Sequence, residues 1–292
     1  MTTTERMPDA AADGAIAPIS RRRRAGHATL VVGCVLLGVV LAVAVVSFVF
    51  LPYPPDQIGG GRLAPPSASH WLGTDTLGRD LAAQLMVGAR IALAAGAGSV
   101  AIGGILGVSL GLVAALAQRW LDDALAAVLD ILIAFPTLLL AMLVVAARGA
   151  TLGSAILAIG LAMSAIIARL TRILAKRVLA EQYIVAARTS GTGWAGVVFR
   201  HVLPNIWPTL AVNLALQFGL AVLAEASLSY LGLGAPPPNA SWGGMLQAAQ
   251  TTVYTAPVGA IAPGIALVVL VVGVNLVADG LRDVFDPTRR TR

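Results

Sequence analysis

Between Gly107 and Gly111 the chain reads Gly-Val-Ser-Leu-Gly, the G-x-S-x-G spacing that in a hydrolase lifts a serine nucleophile on a strand-to-helix turn. The chemistry would be acyl transfer, which needs an accessible histidine and acid. Ser109 instead lies in the middle of a long apolar run, and His27, His70 and His201 all flank such runs. The match is read as accidental, and an intramembrane hydrolase as the weakest function class. A phosphate-cradling loop needs Gly-Lys-Ser/Thr, but the sole lysine, Lys176, stands between Ala175 and Arg177. No H-E-x-x-H spacing is present, so no metal centre is expected. The single cysteine, Cys34, can form no internal disulfide and reads as a small hydrophobe. Any work done across a membrane would therefore draw on an ion gradient or on a partner.

Two acids, Asp130 and Glu225, fall within or near apolar runs, with Asn213, Gln217 and Asn275 as further polar positions. An ionised acid at the centre of a bilayer costs about 2.5 to 3.5 kcal/mol on insertion scales, so each acid is expected to face a bundle interior or water. Asp130, Asn213, Gln217 and Glu225 are the candidates for a solute path. Helix-to-helix hydrogen bonding is the alternative role for the same residues.

A different chemistry is suggested by EQYIVAARTSGTGWAGVVFRHVLPN, from Glu181 to Asn205, a polar and cationic stretch in an apolar chain. Glu181 to Ser190 predicts a short helix with Gly191 as its C-terminal stop and Thr192-Gly193 completing a turn. A second helix fits Trp194 to Val202, with Trp194, Val197, Val198 and Val202 on one side. Small Ala186 and Ala187 would let the first helix lie close to another backbone. Read from the residues, this is either a docking hairpin or a structural one.

Those groups must be positioned by membrane helices. Of 292 residues 58% are hydrophobic and 12% charged, and the mean hydropathy is +0.84, far from an ordinary soluble domain. The net charge of +6 is scattered between apolar runs rather than gathered on one face, which argues against a nucleic-acid partner and for membrane lipid. Spans are expected at about 28–51, 91–117, 124–147, 152–173, 208–231 and 258–277, each long enough for roughly 30 Å of hydrocarbon. In the second, Ser99, Gly103, Gly107, Gly111 and Ala115 recur every four residues and predict a ridge against which another helix packs closely. Residues 1–24 read as a disordered tail, residues 25–292 as one membrane domain, and Pro52 to Asp80 as a loop with turn chemistry.

Six spans put both termini on one side, with the loops after spans two and four. Assigning that side to the cytoplasm gives it sixteen of the twenty cations, leaving Arg62, Arg79, Arg90 and Arg148 outside. The segment 181–205 is then cytoplasmic.

The spacing from Ala186-Ala187 to Gly191, then to His201 and Leu203-Pro204, resembles the EAA motif of permease subunits in bacterial binding-protein-dependent ABC importers. Its AAR, G, FRHVLPN form is similar to that of the oligopeptide/dipeptide/nickel permeases. HWLGTDTLGRD (70–80), LDILIAFPTLLLA (129–141), EASLSYLGLGAPPPNASWGGML (225–246) and DGLRDVFDP (279–287) resemble that family's C-type subunit. The resemblance covers about residues 25 to 290. It implies an all-α integral membrane protein with the six-helix type I permease fold and a cytoplasmic coupling helix.

The same resemblance implies a non-catalytic subunit for import of oligopeptides or dipeptides, with nickel or glutathione as alternatives. From the residues themselves, an ion-coupled secondary transporter using Asp130 and Glu225 is the competing class. The implied partners are a second, B-type permease, two ATPase subunits and an extracytoplasmic binding protein. ATP and magnesium would reside in the ATPases and no cofactor in this chain. Carried over by residue, Ala186, Ala187, Arg188 and Gly191 form the ATPase-coupling surface and Leu203-Pro204 end it. The sequence departs from the motif at Val185, where an acid is expected, and at His201, which replaces isoleucine. The implied location is the bacterial inner membrane with both termini cytoplasmic.

Overall fold

The computed structural model describes residues 19–236 and 239–285, and it is nearly all helix. The helices are α1 (Ile19–Val49), α2 (Leu81–Leu116), α3 (Arg119–Ala134), α4 (Thr137–Arg148), α5 (Leu152–Leu179), α6 (Gln182–Thr189), α7 (Trp194–Val197), α8 (Leu203–Tyr230), α9 (Trp242–Ala249) and α10 (Val258–Phe285). Five stretches are long and apolar enough to cross a membrane, and α3 with α4 make a sixth if that bent pair is one span.

The expected boundaries shift where caps and prolines act. Helix α2 starts ten residues before Ile91, because the Asp80 carboxylate caps it by accepting from the Ala83 N–H at 2.7 Å. Arg90 then lies inside the helix, its guanidinium over the Phe48 ring at 4.0 Å. Thr151 caps α5 in the same way, accepting from Ser154 N at 3.1 Å. Residues 19–24, expected in the tail, are helical and belong to α1, while 1–18 lie outside the described residues.

The continuous third span expected at 124–147 is instead broken: α3 and α4 meet at 88°. Pro136 has no N–H to donate and its ring excludes the carbonyl four residues back, while Phe135 is pushed to extended backbone at ψ 135°. The helix does not stop at Leu203-Pro204, where the coupling segment is expected to end. A π turn over Val198–Val202 carries α7 into α8, making one helical stretch from Trp194 to Tyr230. The extra residue widens the helix where Pro204 cannot donate.

The glycine ridge of α2 packs on α5 as its spacing predicts. A Cβ on Gly103, Gly107 or Gly111 would meet the carbonyl oxygens of Gly160, Ser164 and Ala168 at 2.9, 2.7 and 2.5 Å. Ser99 Oγ continues the series by donating to Ile156 O at 3.2 Å. Four-residue steps on both helices keep backbone against backbone, and in lipid such close packing replaces the hydrophobic drive that water would supply. Gly33 and Gly273 do the same for α1 against α10. Ser109, the serine of the Gly107 to Gly111 motif, is exposed on this transmembrane helix rather than on a strand-to-helix turn.

Candidate coupling segment and solute path

Helices α6 and α7 lie between α5 and α8 in the chain and are fastened to both by a small apolar core. Ile184 is 3% exposed and packs in a cluster with Ala175, Val197, Val202, Ile206 and Leu210. Asn205 Nδ2 donates to the Tyr183 hydroxyl at 3.1 Å and to His201 O at 2.8 Å, which ties α6 to the foot of α8. Tyr183 and Asn205 escaped the sequence reading, since their pairing spans a turn that motif spacing alone does not fold.

Gly191 has φ +88°, where an L side chain is strained. Thr192 N donates to Ala187 O and Gly191 N to Arg188 O, both at 3.0 Å, so the α6 terminus is a complete Schellman motif. Trp194, Val197, Val198 and Val202 share one side of the second helix by spacing, but burial divides them. Those three valines are buried, but Trp194 is 53% exposed and lies under the Arg188 guanidinium at 4.1 Å, because its side of the helix overhangs the small core. Arg188 also donates to Thr192 O at 3.0 Å, closing the turn from outside. Val185, Ala186, Arg188 and Trp194 are exposed, and Ala187 is half-buried. Leu203 is half-buried and Pro204 exposed.

The four path candidates do not converge. Asn213 and Gln217 are one turn apart on α8 and share a face, with the Asn213 Oδ1 buried and unpaired. Glu225 is 1% exposed but lies off that face, its carboxylate accepting from Ser229 Oγ at 2.6 Å. A Cβ on Gly243 would meet Ala226 O at 2.0 Å, so the α9 backbone lies hard against this turn of α8. Asp130 is half exposed rather than interior and pairs with Arg169 of α5 at 3.1 Å. Asn275, the further polar position, is exposed on α10. A stronger ionic tie lies deeper: Asp122, 5% exposed, receives Arg172 Nε at 2.5 Å and the Lys176 ammonium, pinning α3 to α5.

At the opposite end, the loop from Pro52 to Asp80 is a folded cap rather than loose turns. Asp75 accepts from the backbone N–H of Leu77 and Arg79 at 2.8 and 2.9 Å, from Arg79 Nε at 2.7 Å and from Gln84 at 3.1 Å. Burial pushes this carboxyl up, but the hydrogen bonds from Arg79, Leu77 and Gln84 together hold it below the usual carboxylate range. His70 Nδ1 pairs with Asp80 at 2.9 Å, and Trp242 Nε1 donates to Leu85 O at 3.0 Å across Gly88. The loops at 73–80 and 236–242 are thereby fixed to α2, residues 237 and 238 lying outside the described residues.

Comparison with known proteins adds to this geometry. Residues 107–291 match the family model described as "Binding-protein-dependent transport system inner membrane component". The chain is 39% identical over 230 residues to the dipeptide transport system permease protein DppC of Alkalihalophilus pseudofirmus, covering 79% of this chain and 76% of that one. It is 37% identical over 275 residues to the glutathione transport system permease protein GsiD of Pectobacterium atrosepticum, covering 91% and 89%. A putative peptide transport system permease protein of Brucella abortus is 37% identical over 286 residues, covering 98% and 96%.

Proposed function

The chain belongs to the family of inner-membrane components of binding-protein-dependent transport systems, and from that premise we propose that it passes oligopeptides or dipeptides across the bacterial cytoplasmic membrane. It is a multi-pass permease subunit of an ABC importer, a class that works with ATPase and binding-protein partners. In our reading it pairs with a second, B-type permease, two ATPase subunits and one extracytoplasmic binding protein. ATP and magnesium act in the ATPases, and both termini and α6 face the cytoplasm. The relatives named for dipeptide, peptide and glutathione transport support a peptide substrate.

The observation that carries the reading is the exposed apolar surface of α6 and α7, Val185, Ala186 and Trp194, held by a closed Gly191 turn on the end of the bundle. Such a surface suits a groove on an ATPase. Its attachment explains how force would travel. A push on Trp194 bears on the Ile184 core, and the helical stretch from Trp194 to Tyr230, about 55 Å long, carries Asn213 and Gln217 near its middle. ATP-driven closure of the ATPases would move that lever as a rigid body and switch access from one side to the other.

The test is site-directed cross-linking in the assembled importer. Cys34 is exposed and is first replaced by serine, after which Val185→Cys is expected to cross-link to an ATPase subunit. Absence of any such cross-link, together with ion-driven uptake by the purified chain alone, would refute the reading.

A further inference from the structure

The break in the third span leaves a helix start without acceptors inside the membrane domain. Helix α4 begins after Pro136, which offers no capping side chain. The first N–H to find an acceptor is that of Leu140, on Pro136 O at 3.1 Å. The N–H groups of Thr137, Leu138 and Leu139 thus have no described partner, and the positive end of the α4 dipole lies with them. In hydrocarbon each such donor costs several kcal/mol, so non-helical backbone at this depth is tolerated where it lines a cavity.

A cavity is there. A pocket of about 230 Å³ is lined by Thr137 and Leu138 of α4, Ile159 and Met163 of α5, and Gln217 and Ala224 of α8. Gln217 is the second, independent sign of a ligand. Its side chain is 4% exposed, borders this pocket and makes no hydrogen bond among the described residues. The amide is not sealed in protein but keeps access to the pocket, where a ligand can reach it. Of the charged side chains nearest in sequence on the flanking helices, Asp130 and Arg169 neutralise each other at 3.1 Å, and Glu225, next to Ala224, is 1% exposed with its carboxyl accepting from Ser229 Oγ at 2.6 Å. The α3 axis, with its terminal carbonyls, is turned 88° away from that of α4. What remains is a set of uncharged donors in an apolar pocket at a helix N-terminus.

We propose that this pocket holds the C-terminal carboxylate of a peptide in transit, between the Thr137 and Leu138 N–H groups and the Gln217 amide. The inference rests on the peptide-importer reading and adds to it a subsite. Uncharged donors suit a group that must be held and then released, since conduction fails when a site binds too tightly. The apolar walls at Ile159, Met163 and Ala224 suit an apolar terminal side chain beside the carboxylate.

The experiment uses the complete importer in proteoliposomes with saturating loaded binding protein. It compares uptake of alanyl-leucine with that of alanyl-leucinamide, which lacks the carboxylate. The unaltered importer is expected to favour the acid. Gln217→Leu should lower acid uptake about tenfold and leave amide uptake within twofold, as expected for one lost hydrogen bond to a charged group. Thr137→Asp supplies a carboxylate that fills the helix start from within the chain, and it should cause the same selective loss. Co-purification of the full complex shows whether each variant assembles, and a variant that fails to assemble leaves the other to decide. An unchanged acid-to-amide ratio in an assembled variant overturns the subsite, as does equal loss of both probes. If the unaltered importer takes up neither alanyl-leucine nor glutathione, the peptide reading itself fails and the subsite with it, a signature distinct from either variant result.

Discussion

Replacing Gly191 with alanine tests the coupling turn without disturbing any packing in this chain. A Cβ built on Gly191 meets nothing within 4 Å, and the same holds for Gly193. The two positions differ in backbone: Gly191 has φ +88°, whereas Gly193 has φ −68° and ψ 163°. Alanine at Gly193 is therefore expected to be neutral. At Gly191 it bears the left-handed penalty of roughly 1 to 2 kcal/mol, which lowers occupancy of the closed turn about 5- to 30-fold relative to the opened one. Two hydrogen bonds, Gly191 N to Arg188 O and Thr192 N to Ala187 O, depend on that turn, and with them the seat of Trp194 under Arg188. The assay measures the affinity of the assembled permease pair for its ATPase subunits, and peptide uptake per ATP hydrolysed. Gly191→Ala is expected to weaken both several-fold, Gly191→Asn less, because asparagine tolerates this region better, and Gly193→Ala not at all. Equal behaviour of Gly191→Ala and Gly193→Ala would refute the argument.

Further expectations follow from the packing and the charges. Gly107→Ala places a methyl 2.7 Å from Ser164 O and Ile167 Cβ and should destabilise the bundle by about 1 to 3 kcal/mol, whereas Gly104→Ala meets its nearest atom at 3.4 Å and should not. Thermal unfolding in detergent separates them. Asp122→Asn removes the partner of Arg172 and Lys176 and should cost about 3 kcal/mol, while Asp130→Asn breaks a pair more than half exposed on both sides and should cost less than about 1 kcal/mol. The same unfolding assay reads both. The Asp75 carboxyl is held below its unfolded value, so its stabilisation of the cap is complete above about pH 4 and is lost as pH falls through the folded value. Hydrogen exchange over residues 52–80 between pH 6 and 3 should show the cap loosening on acidification, with Asp75→Asn loose throughout and nearly independent of pH.

What the residues reveal by themselves is whatever depends on neighbours along the chain. Apolar runs locate the spans, because bilayer thickness demands a minimum length of continuous helix. The four-residue recurrence of Ser99, Gly103, Gly107 and Gly111 announces a packing face, because those positions fall on one side of any α-helix. Gly191 is legible as a helix stop from its spacing after Ala186-Ala187, and its φ of +88° is what that role requires.

Proline is legible only in part. Pro136 and Pro204 each stand in an apolar or amphipathic helical pattern, yet one breaks its helix at 88° and the other is absorbed by a π turn. The difference lies in whether neighbouring helices hold the widened turn, and hydropathy carries no record of that. The polar side chains behave alike. Asp130, Asn213, Gln217 and Glu225 look equivalent in sequence, each a polar group in an apolar run. Glu225 finds Ser229 one turn along its own helix, whereas tertiary packing pairs Asp130 with Arg169 and leaves Gln217 at the broken start of α4. The order of the helices was thus written in local composition, whereas where the third span breaks and which groups Asp130 and Gln217 meet were decided by helices far apart in the chain. A buried donor or acceptor takes its energy from the partner that meets it, and that partner exists only once the bundle has closed.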